Sequence, residues 1–254
     1  MKLEKLKNKK YLPLALVVLA LGILTSIVLI VRSRNRVTEE PTETSTVQEV
    51  ALVKRPIASL LPSTDGHWLT LVIKKLEIKA ESMDYELLYD LPDGRTQGVP
   101  GTITLKGEEK IERKLLLGSE SSGKFRYDEG VKEGQLTLRF RDAKGKLVAK
   151  FTTKFHLQSL AKELSSIDGK LLFTPTKGSS KDFFVTMETF GVPADPPGEV
   201  LSGPYGVFSS STSVVPGTVK LGAGNFYRAS GSKWEKLESG KASDIGIFLE
   251  TSGE

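Results

Sequence analysis

The pattern of apolar and polar positions divides the chain into one unbroken apolar run near its start and short alternating segments after it. Residues 11–31 contain no charged side chain. A helix of this length spans roughly 30 Å, the thickness of the hydrocarbon core of a bilayer. The run is longer than the roughly 7–15 apolar residues of a cleavable secretory signal, and no small-x-small cleavage site follows it. The sequence therefore predicts one uncleaved transmembrane helix.

Basic residues flank this apolar run on both sides. Five lysines precede it within residues 1–10, and Arg32, Arg34 and Arg36 follow it. The positive-inside rule favours a short cytoplasmic tail at residues 1–10 and extracytoplasmic C-terminal domains. Residues 32–48 are rich in Thr, Glu and Pro and lack an apolar period, so they are predicted to be a polar linker.

Beyond residue 49, apolar and polar residues alternate in short segments that are typical of strands with one buried face. The clearest pair lies at residues 136–141 and 147–155, which predict a hairpin with its turn at 142–145. Residues 68–80 are predicted as one long strand with a bend at its middle. Residues 157–167 have apolar positions at helical spacing and predict a helical connector, residues 157–168.

These segments predict a mainly β fold in which one N-terminal transmembrane helix is followed by two β-sandwich-like domains. The first domain is expected at residues 49–156 and the second at residues 169–254, on either side of the helical connector. The turn signals that separate the strands recur at intervals of roughly ten residues, which suits a sandwich.

The net charge of the chain is positive, but the excess belongs to the membrane flanks. Residues 1–36 hold eight basic side chains and one acidic side chain, out of 36 and 31 in the whole chain. The remaining residues therefore hold 28 basic and 30 acidic side chains. Lysines and arginines beside an apolar helix meet anionic lipid headgroups. We expect the lipid bilayer as a partner and no nucleic acid, because the rest of the chain has no positive excess for phosphates.

The sequence contains no complete catalytic or cofactor-binding motif. The segment from Gly118 to Lys124 matches most of a phosphate-binding loop, but Phe125 stands where Ser or Thr would meet the metal, and an alternating strand follows instead of a helix. A hairpin is the preferred interpretation, with no nucleotide. His67 and His156 are the only histidines, and plain surface or strand-edge positions are expected for both. We predict no catalytic residue, no cofactor and no metal ligand.

Aromatic residues offer one candidate ligand platform. Rings of Trp68, Tyr205, Phe226, Tyr227 and Trp234 could stack on sugars if they were exposed and coplanar, although alternation places most of them in a core. The residues retained as a candidate platform are Tyr205, Tyr227 and Trp234.

Residues 202–250 contain a Tyr-x-x-x-Gly-x-x-Trp segment, filled by Tyr227, Gly231 and Trp234, and a closing strand with Gly246. This arrangement resembles the closing strands of β-sandwich modules on bacterial cell-surface proteins, of immunoglobulin-like or ZU5-like type. The resemblance covers about a fifth of the chain. It implies a cell-surface location and a β-sandwich architecture, and it implies no catalytic residues because such modules share none.

Together these features predict a single-pass protein of the cell membrane that is not an enzyme. Its expected role is that of a binding, adhesion or envelope-scaffold module, or of a bitopic subunit of an assembly or secretion complex, with a protein or cell-envelope partner. Two alternatives remain open. An envelope carboxylate-dependent hydrolase would need two acids that face one concave pocket. A carbohydrate-binding module would need exposed coplanar aromatic rings.

Overall fold

The computed structural model describes residues 49–177 and 181–252, which are mainly β. The first nine strands are β1 (Ile57–Pro62), β2 (Trp68–Lys74), β3 (Ser82–Asp90), β4 (Thr96–Thr104), β5 (Lys110–Leu116), β6 (Gly118–Ser121), β7 (Lys124–Tyr127), β8 (Glu133–Arg141) and β9 (Leu147–Ser159). The next nine are β10 (Leu164–Ser165), β11 (Leu172–Pro175), β12 (Phe183–Glu188), β13 (Val200–Ser209), β14 (Gly217–Lys220), β15 (Asn225–Ser230), β16 (Lys233–Lys236), β17 (Lys241–Ala242) and β18 (Ile247–Thr251). Two single-turn 3-10 helices complete the elements, Leu52–Lys54 and Glu238–Gly240.

The strands form four antiparallel sheets. The largest has nine strands in the order β16-β15-β18-β13-β12-β9-β8-β3-β4. A three-stranded sheet has the order β1-β2-β5, and a four-stranded sheet has the order β10-β11-β14-β17. Strands β6 and β7 pair only with each other and form a separate hairpin.

Strand β12 is buried on both of its faces and joins two hydrophobic clusters. Val185 and Met187 belong to a cluster with apolar residues of β1, β2 and β5. Phe184 belongs to the other cluster, with residues of β10, β11 and β14. Because successive side chains of a strand point to opposite faces, the two smaller sheets cover opposite faces of the nine-stranded sheet. The predicted mainly β, sandwich-like fold is confirmed, with one sheet shared between two sandwiches.

The shared sheet connects the two segments that the sequence divides into domains. Strand β9 pairs with β12, so that Phe155 lies opposite Met187. The first cluster is built from residues of the predicted first domain, but it also takes Val185, Met187 and Phe190 from the second. The described residues all lie in one compact unit.

The helical connector predicted at residues 157–168 is wrong. Leu157 continues β9 opposite Val185, and Leu164 pairs with Phe173 of β11. Between these strands the chain turns at Leu160, whose φ is +56°. A helix of this length is marginal on its own in water. Pairing with β12 and β11 therefore outweighs the local apolar spacing.

Strand predictions are confirmed where the alternation is strict and fail where it breaks. Strands β8 and β9 form the predicted hairpin, and the N–H of Gly145 donates to the carbonyl oxygen of Asp142 at 2.9 Å in its turn. The long strand predicted at residues 68–80 ends at Lys74 instead. Lys75 has a φ of +58°, and its ammonium donates to the carbonyl oxygen of Val192 at 3.1 Å, so the chain leaves the sheet there.

The predicted transmembrane helix at residues 11–31 lies outside the described residues, as do the tail at 1–10 and the linker at 32–48. Within residues 49–177 and 181–252, no helix is long and apolar enough to cross a membrane. The start of this described part contacts the β unit, because Val50 packs against the first hydrophobic cluster.

Candidate ligand-binding site

The β6–β7 hairpin presents two aromatic side chains to solvent. Its two-residue turn is Ser122-Gly123, with φ of +51° and +75°, which is the conformation that joins two adjacent antiparallel strands. Phe125 and Tyr127 alternate along β7, so they share one face of the hairpin. Phe125 is 45% exposed and Tyr127 is 38% exposed. The hairpin predicted in place of a phosphate-binding loop is confirmed.

The exposed rings belong to a cluster of four aromatic side chains. The rings of Phe125 and Tyr127 are nearly parallel, at 8°, with centroids 6.2 Å apart. The imidazole of His67 stacks on Tyr127 at 4.2 Å and 13°. Trp68 meets Phe125 edge-on at 5.6 Å and 71°. We call His67, Trp68, Phe125 and Tyr127 the aromatic patch.

Contacts with the core fix the base of this hairpin. The buried Tyr89 of β3 donates its hydroxyl to Asp128 Oδ2 at 2.8 Å, immediately after Tyr127. The N–H of Asp128 donates to the carbonyl oxygen of Leu117 at 2.9 Å, and the N–H of Leu117 donates to that of His67 at 2.9 Å. A Cβ on Gly118 would lie 2.2 Å from the carbonyl oxygen of Arg126, so only glycine fits where the hairpin strands approach.

A polar cavity of about 430 Å³ opens beside the aromatic patch. His67 is a member of the aromatic patch and also lines the cavity. The polar and charged side chains that line the cavity are Asp65, His67, Asp128, Glu129, Lys132, His156, Gln158 and Ser159. One wall of the cavity requires glycine at position 66. Gly66 has a φ of +74°, and a Cβ at this position would lie 2.5 Å from ring atoms of Phe183.

The three carboxylates of this cavity outnumber its single lysine. The hydroxyl of Ser63 and the backbone N–H of His67 donate to Asp65, and these hydrogen bonds hold the pKa of Asp65 below its ordinary value. Asp65 is therefore ionised at neutral pH. Asp128, Glu129 and Lys132 follow within the same short stretch of chain. The cavity thus has a net negative charge when both histidines are neutral.

The two histidines, expected at plain surface or edge positions, line this one cavity. His156 lies on β9, where its Nδ1 is 2.9 Å from the carbonyl oxygen of Ser165. His67 reaches the cavity from the turn before β2. They are 89 positions apart in the sequence, so no local pattern indicated that they would line the same cavity. Among the described residues, no group of three or more His, Asp or Glu side chains is arranged to hold a metal ion.

The candidate platform of Tyr205, Tyr227 and Trp234 does not form one surface. Tyr205 is 5% exposed and lies opposite Phe248, in the cluster beneath the four-stranded sheet. Tyr227 and Trp234 lie on the other face of the sheet, in the hairpin of β15 and β16 whose turn contains Gly231. The indole of Trp234 donates to the carbonyl oxygen of Ala194 at 3.1 Å. The predicted tyrosine–glycine–tryptophan hairpin is present, but its aromatic rings are half-buried.

A second cavity, of about 350 Å³, contains two acids and a tyrosine. Burial raises the pKa of Glu188, and the charge of Asp168 adds to this, while Arg55 opposes it. Burial would also raise the pKa of Asp168, but hydrogen bonds from Ser166, Tyr205 and the N–H of Lys170 outweigh burial and lower it. One cavity thus holds two carboxyl groups whose pKa values are shifted in opposite directions.

Comparison with known proteins gives no relative on which to base a function. No family model, no curated protein and no solved structure matches this chain.

Proposed function

We propose that the chain is a membrane-anchored, extracytoplasmic binding module that recognises its ligand through the aromatic patch. The observation that supports this proposal best is the nearly parallel arrangement of the exposed rings of Phe125 and Tyr127. Exposed apolar surface costs free energy in water, and aromatic side chains supply most of the contact energy at binding surfaces.

The composition of the hairpin supports the same conclusion. In the ten residues from Gly118 to Tyr127, Phe125 and Tyr127 are the only apolar side chains. The hairpin therefore has no core of its own, and it projects its two rings from a base tied to Tyr89 and Leu117. Rigid placement of a few aromatic side chains reduces the entropy lost when a ligand binds.

The sequence supports the anchored, extracytoplasmic part of the proposal. Residues 11–31 have the length and composition of a transmembrane helix, and more lysine and arginine precede them than follow them. A linker of Thr, Glu and Pro residues at 32–48 would separate the β unit from the bilayer. A protease added to intact cells and to lysed cells tests this orientation. If the C-terminal domains are extracytoplasmic, the protease cuts a C-terminal tag in intact cells as well as in lysed cells.

Binding to the cell envelope tests the role of the aromatic patch. The full-length chain, reconstituted in lipid nanodiscs, is titrated with washed envelope of the producing organism. We expect saturable retention that Phe125→Leu/Tyr127→Leu weakens at least about tenfold, because leucine lacks the flat ring but keeps apolar area. The matched control is Leu201→Ala/Val214→Ala, which trims two exposed apolar residues elsewhere. Equal retention of both variants contradicts the proposal.

A carboxylate-dependent hydrolase is the second candidate, and the cavity of Asp168 and Glu188 favours it. Acid–base hydrolysis needs one protonated and one ionised carboxyl group, and the opposite pKa shifts supply such a pair. Both oxygens of Asp168 are occupied, however, because Oδ1 accepts from Ser166 and Lys170 and Oδ2 accepts from Tyr205. This makes Asp168 a structural clamp, and binding is the better-supported function.

Release of reducing ends from envelope polysaccharide tests this second candidate. A hydrolase would release them with the wild-type chain and would lose the activity in Glu188→Gln. The exposed Glu199→Gln is the matched control. Absence of release by the wild-type chain contradicts the hydrolase.

A further inference from the structure

The aromatic patch and the polar cavity are adjacent and offer complementary contacts. His67 stacks on Tyr127 and also lines the cavity. Asp128 directly follows Tyr127 and lines the cavity too. We infer that the combined site binds a neutral oligosaccharide, an inference that rests on the proposed binding function and names its ligand class.

The chemistry of a sugar ring matches both halves of this site. A pyranose has apolar C–H surface and a rim of hydroxyl groups that donate and accept hydrogen bonds. Phe125 offers an exposed ring for the C–H surface, and Tyr127 offers the ring face that His67 does not cover. The carboxylates of Asp128 and Glu129 accept from hydroxyls, and the ammonium of Lys132 donates to them. Hydrogen bonds to charged groups are about twice as strong as neutral ones, which suits a water-exposed site.

The charge of the cavity selects among saccharides. Asp65, Asp128 and Glu129 outnumber Lys132, and none of the four forms an ion pair with another residue of the described chain. This excess of negative charge repels uronic acids and sulfated or phosphorylated chains at moderate ionic strength. A neutral chain avoids that repulsion and still supplies hydroxyl donors to the carboxylates.

A saccharide also accounts for the site better than an apolar peptide does. An apolar peptide would use Phe125, Tyr127 and Trp68 and would gain nothing from a carboxylate-lined cavity beside them. A desolvated carboxylate without a partner would weaken such binding. The two occupants therefore differ in whether the charge of Glu129 matters for binding.

Tryptophan emission provides a direct titration. The chain has two tryptophans, so Trp234→Phe leaves Trp68 as the only one, in edge-on contact with Phe125. In this background, the chain in lipid nanodiscs is titrated with the neutral, fully N-acetylated chitotetraose (called chitotetraose below) and, separately, with the acidic tetragalacturonate. We expect a saturable change in emission with chitotetraose and at least about tenfold weaker binding of tetragalacturonate.

Substitutions then separate the ring contribution from the cavity contribution. Phe125→Leu/Tyr127→Leu is expected to weaken chitotetraose binding at least about tenfold, and Glu129→Gln about threefold or more. Leu201→Ala/Val214→Ala should leave binding unchanged. Thermal unfolding of each variant verifies that the β unit is folded, and Glu129 is an exposed residue.

The outcomes distinguish this inference from the proposed function. If chitotetraose gives no saturable response, while envelope retention still depends on Phe125 and Tyr127, the saccharide inference is wrong and the binding module stands. Retention that Phe125→Leu/Tyr127→Leu weakens but Glu129→Gln leaves unchanged identifies an apolar protein partner and also overturns the inference. If retention is independent of the patch, both proposals fail.

Discussion

The hydroxyl of Tyr89 donates a 2.8 Å hydrogen bond to the carboxylate of Asp128. Tyr89 is a buried residue of β3, and Asp128 is the residue at which the β6–β7 hairpin returns to the body of the protein. Burial, together with the hydrogen bond to Asp128, raises the pKa of the Tyr89 phenol, so it stays a donor at every working pH. This pair connects the core of the first sandwich to the position of the exposed rings.

Loss of this hydrogen bond should destabilise the chain and loosen the hairpin. Tyr89→Phe is expected to lower the free energy of unfolding by about 1.5–3 kcal/mol, the usual range for a hydrogen bond to a charged group. Envelope binding should weaken as well, because the rings are less fixed before the ligand arrives. Urea unfolding and the retention assay measure the two effects.

Tyr85→Phe is the control for this prediction, since Tyr85 lies on the same strand and, among the described residues, its hydroxyl makes no hydrogen bond to the hairpin. It should change neither quantity by more than a few tenths of a kcal/mol. A Tyr89→Phe variant that binds as tightly as the wild type would show that the hairpin is positioned by other contacts.

The sequence predicted what depends on local alternation and missed what depends on distant pairing. The β8–β9 hairpin follows from strict period two and a turn at Asp142. The connector at 157–168 failed because Leu157 pairs with Val185, which lies 28 residues further along the chain. The aromatic patch was missed because Phe125 and Tyr127 alternate as core residues do. The useful signal was that their hairpin contains no other apolar side chain.

Glu188 should make stability fall as the pH rises. Burial raises its folded-state pKa above the unfolded value of about 4.3, so the folded state favours the protonated form. The stability from this group is present below pH about 4 and is lost as the pH rises through the folded-state pKa. Glu188→Gln stays neutral, so its melting temperature should exceed that of the wild type at pH 7 and match it near pH 4. Glu199→Gln, at an exposed loop position, is the control and should show no such difference in melting temperature. A Glu188→Gln variant that melts below the wild type at pH 7 would contradict this prediction.

Leu160 should be replaceable by glycine with a gain in stability. Its φ of +56° is a left-handed conformation that costs a non-glycine residue about 1–2 kcal/mol, and its side chain is 66% exposed. Leu160→Gly is expected to raise the free energy of unfolding by about 0.5–1 kcal/mol in urea titrations, after the entropy cost of glycine. Leu160→Ala retains the strain and should not give this gain. A helix at this position would instead lose about 1 kcal/mol on substitution by glycine.

The shared strand β12 should make the two sandwiches unfold together. Met187→Ala acts on the cluster on one side of the sheet, and Phe184→Ala acts on the cluster on the other. Each is expected to lower stability by about 2–5 kcal/mol and to shift the entire unfolding transition. Calorimetry and intrinsic fluorescence measure the transition. Two separate transitions, with each variant shifting only one, would show that residues 49–156 and 169–254 are independent domains.

Photo-crosslinking in intact cells shows whether the ligand binds this protein at Phe125 and Tyr127. A photoreactive phenylalanine analogue is placed at position 125, and the same analogue at position 214 serves as the exposed apolar control. We expect an adduct from position 125 that Tyr127→Leu abolishes, and none from position 214. Adducts of equal yield from both positions, or from position 214 alone, would contradict the account.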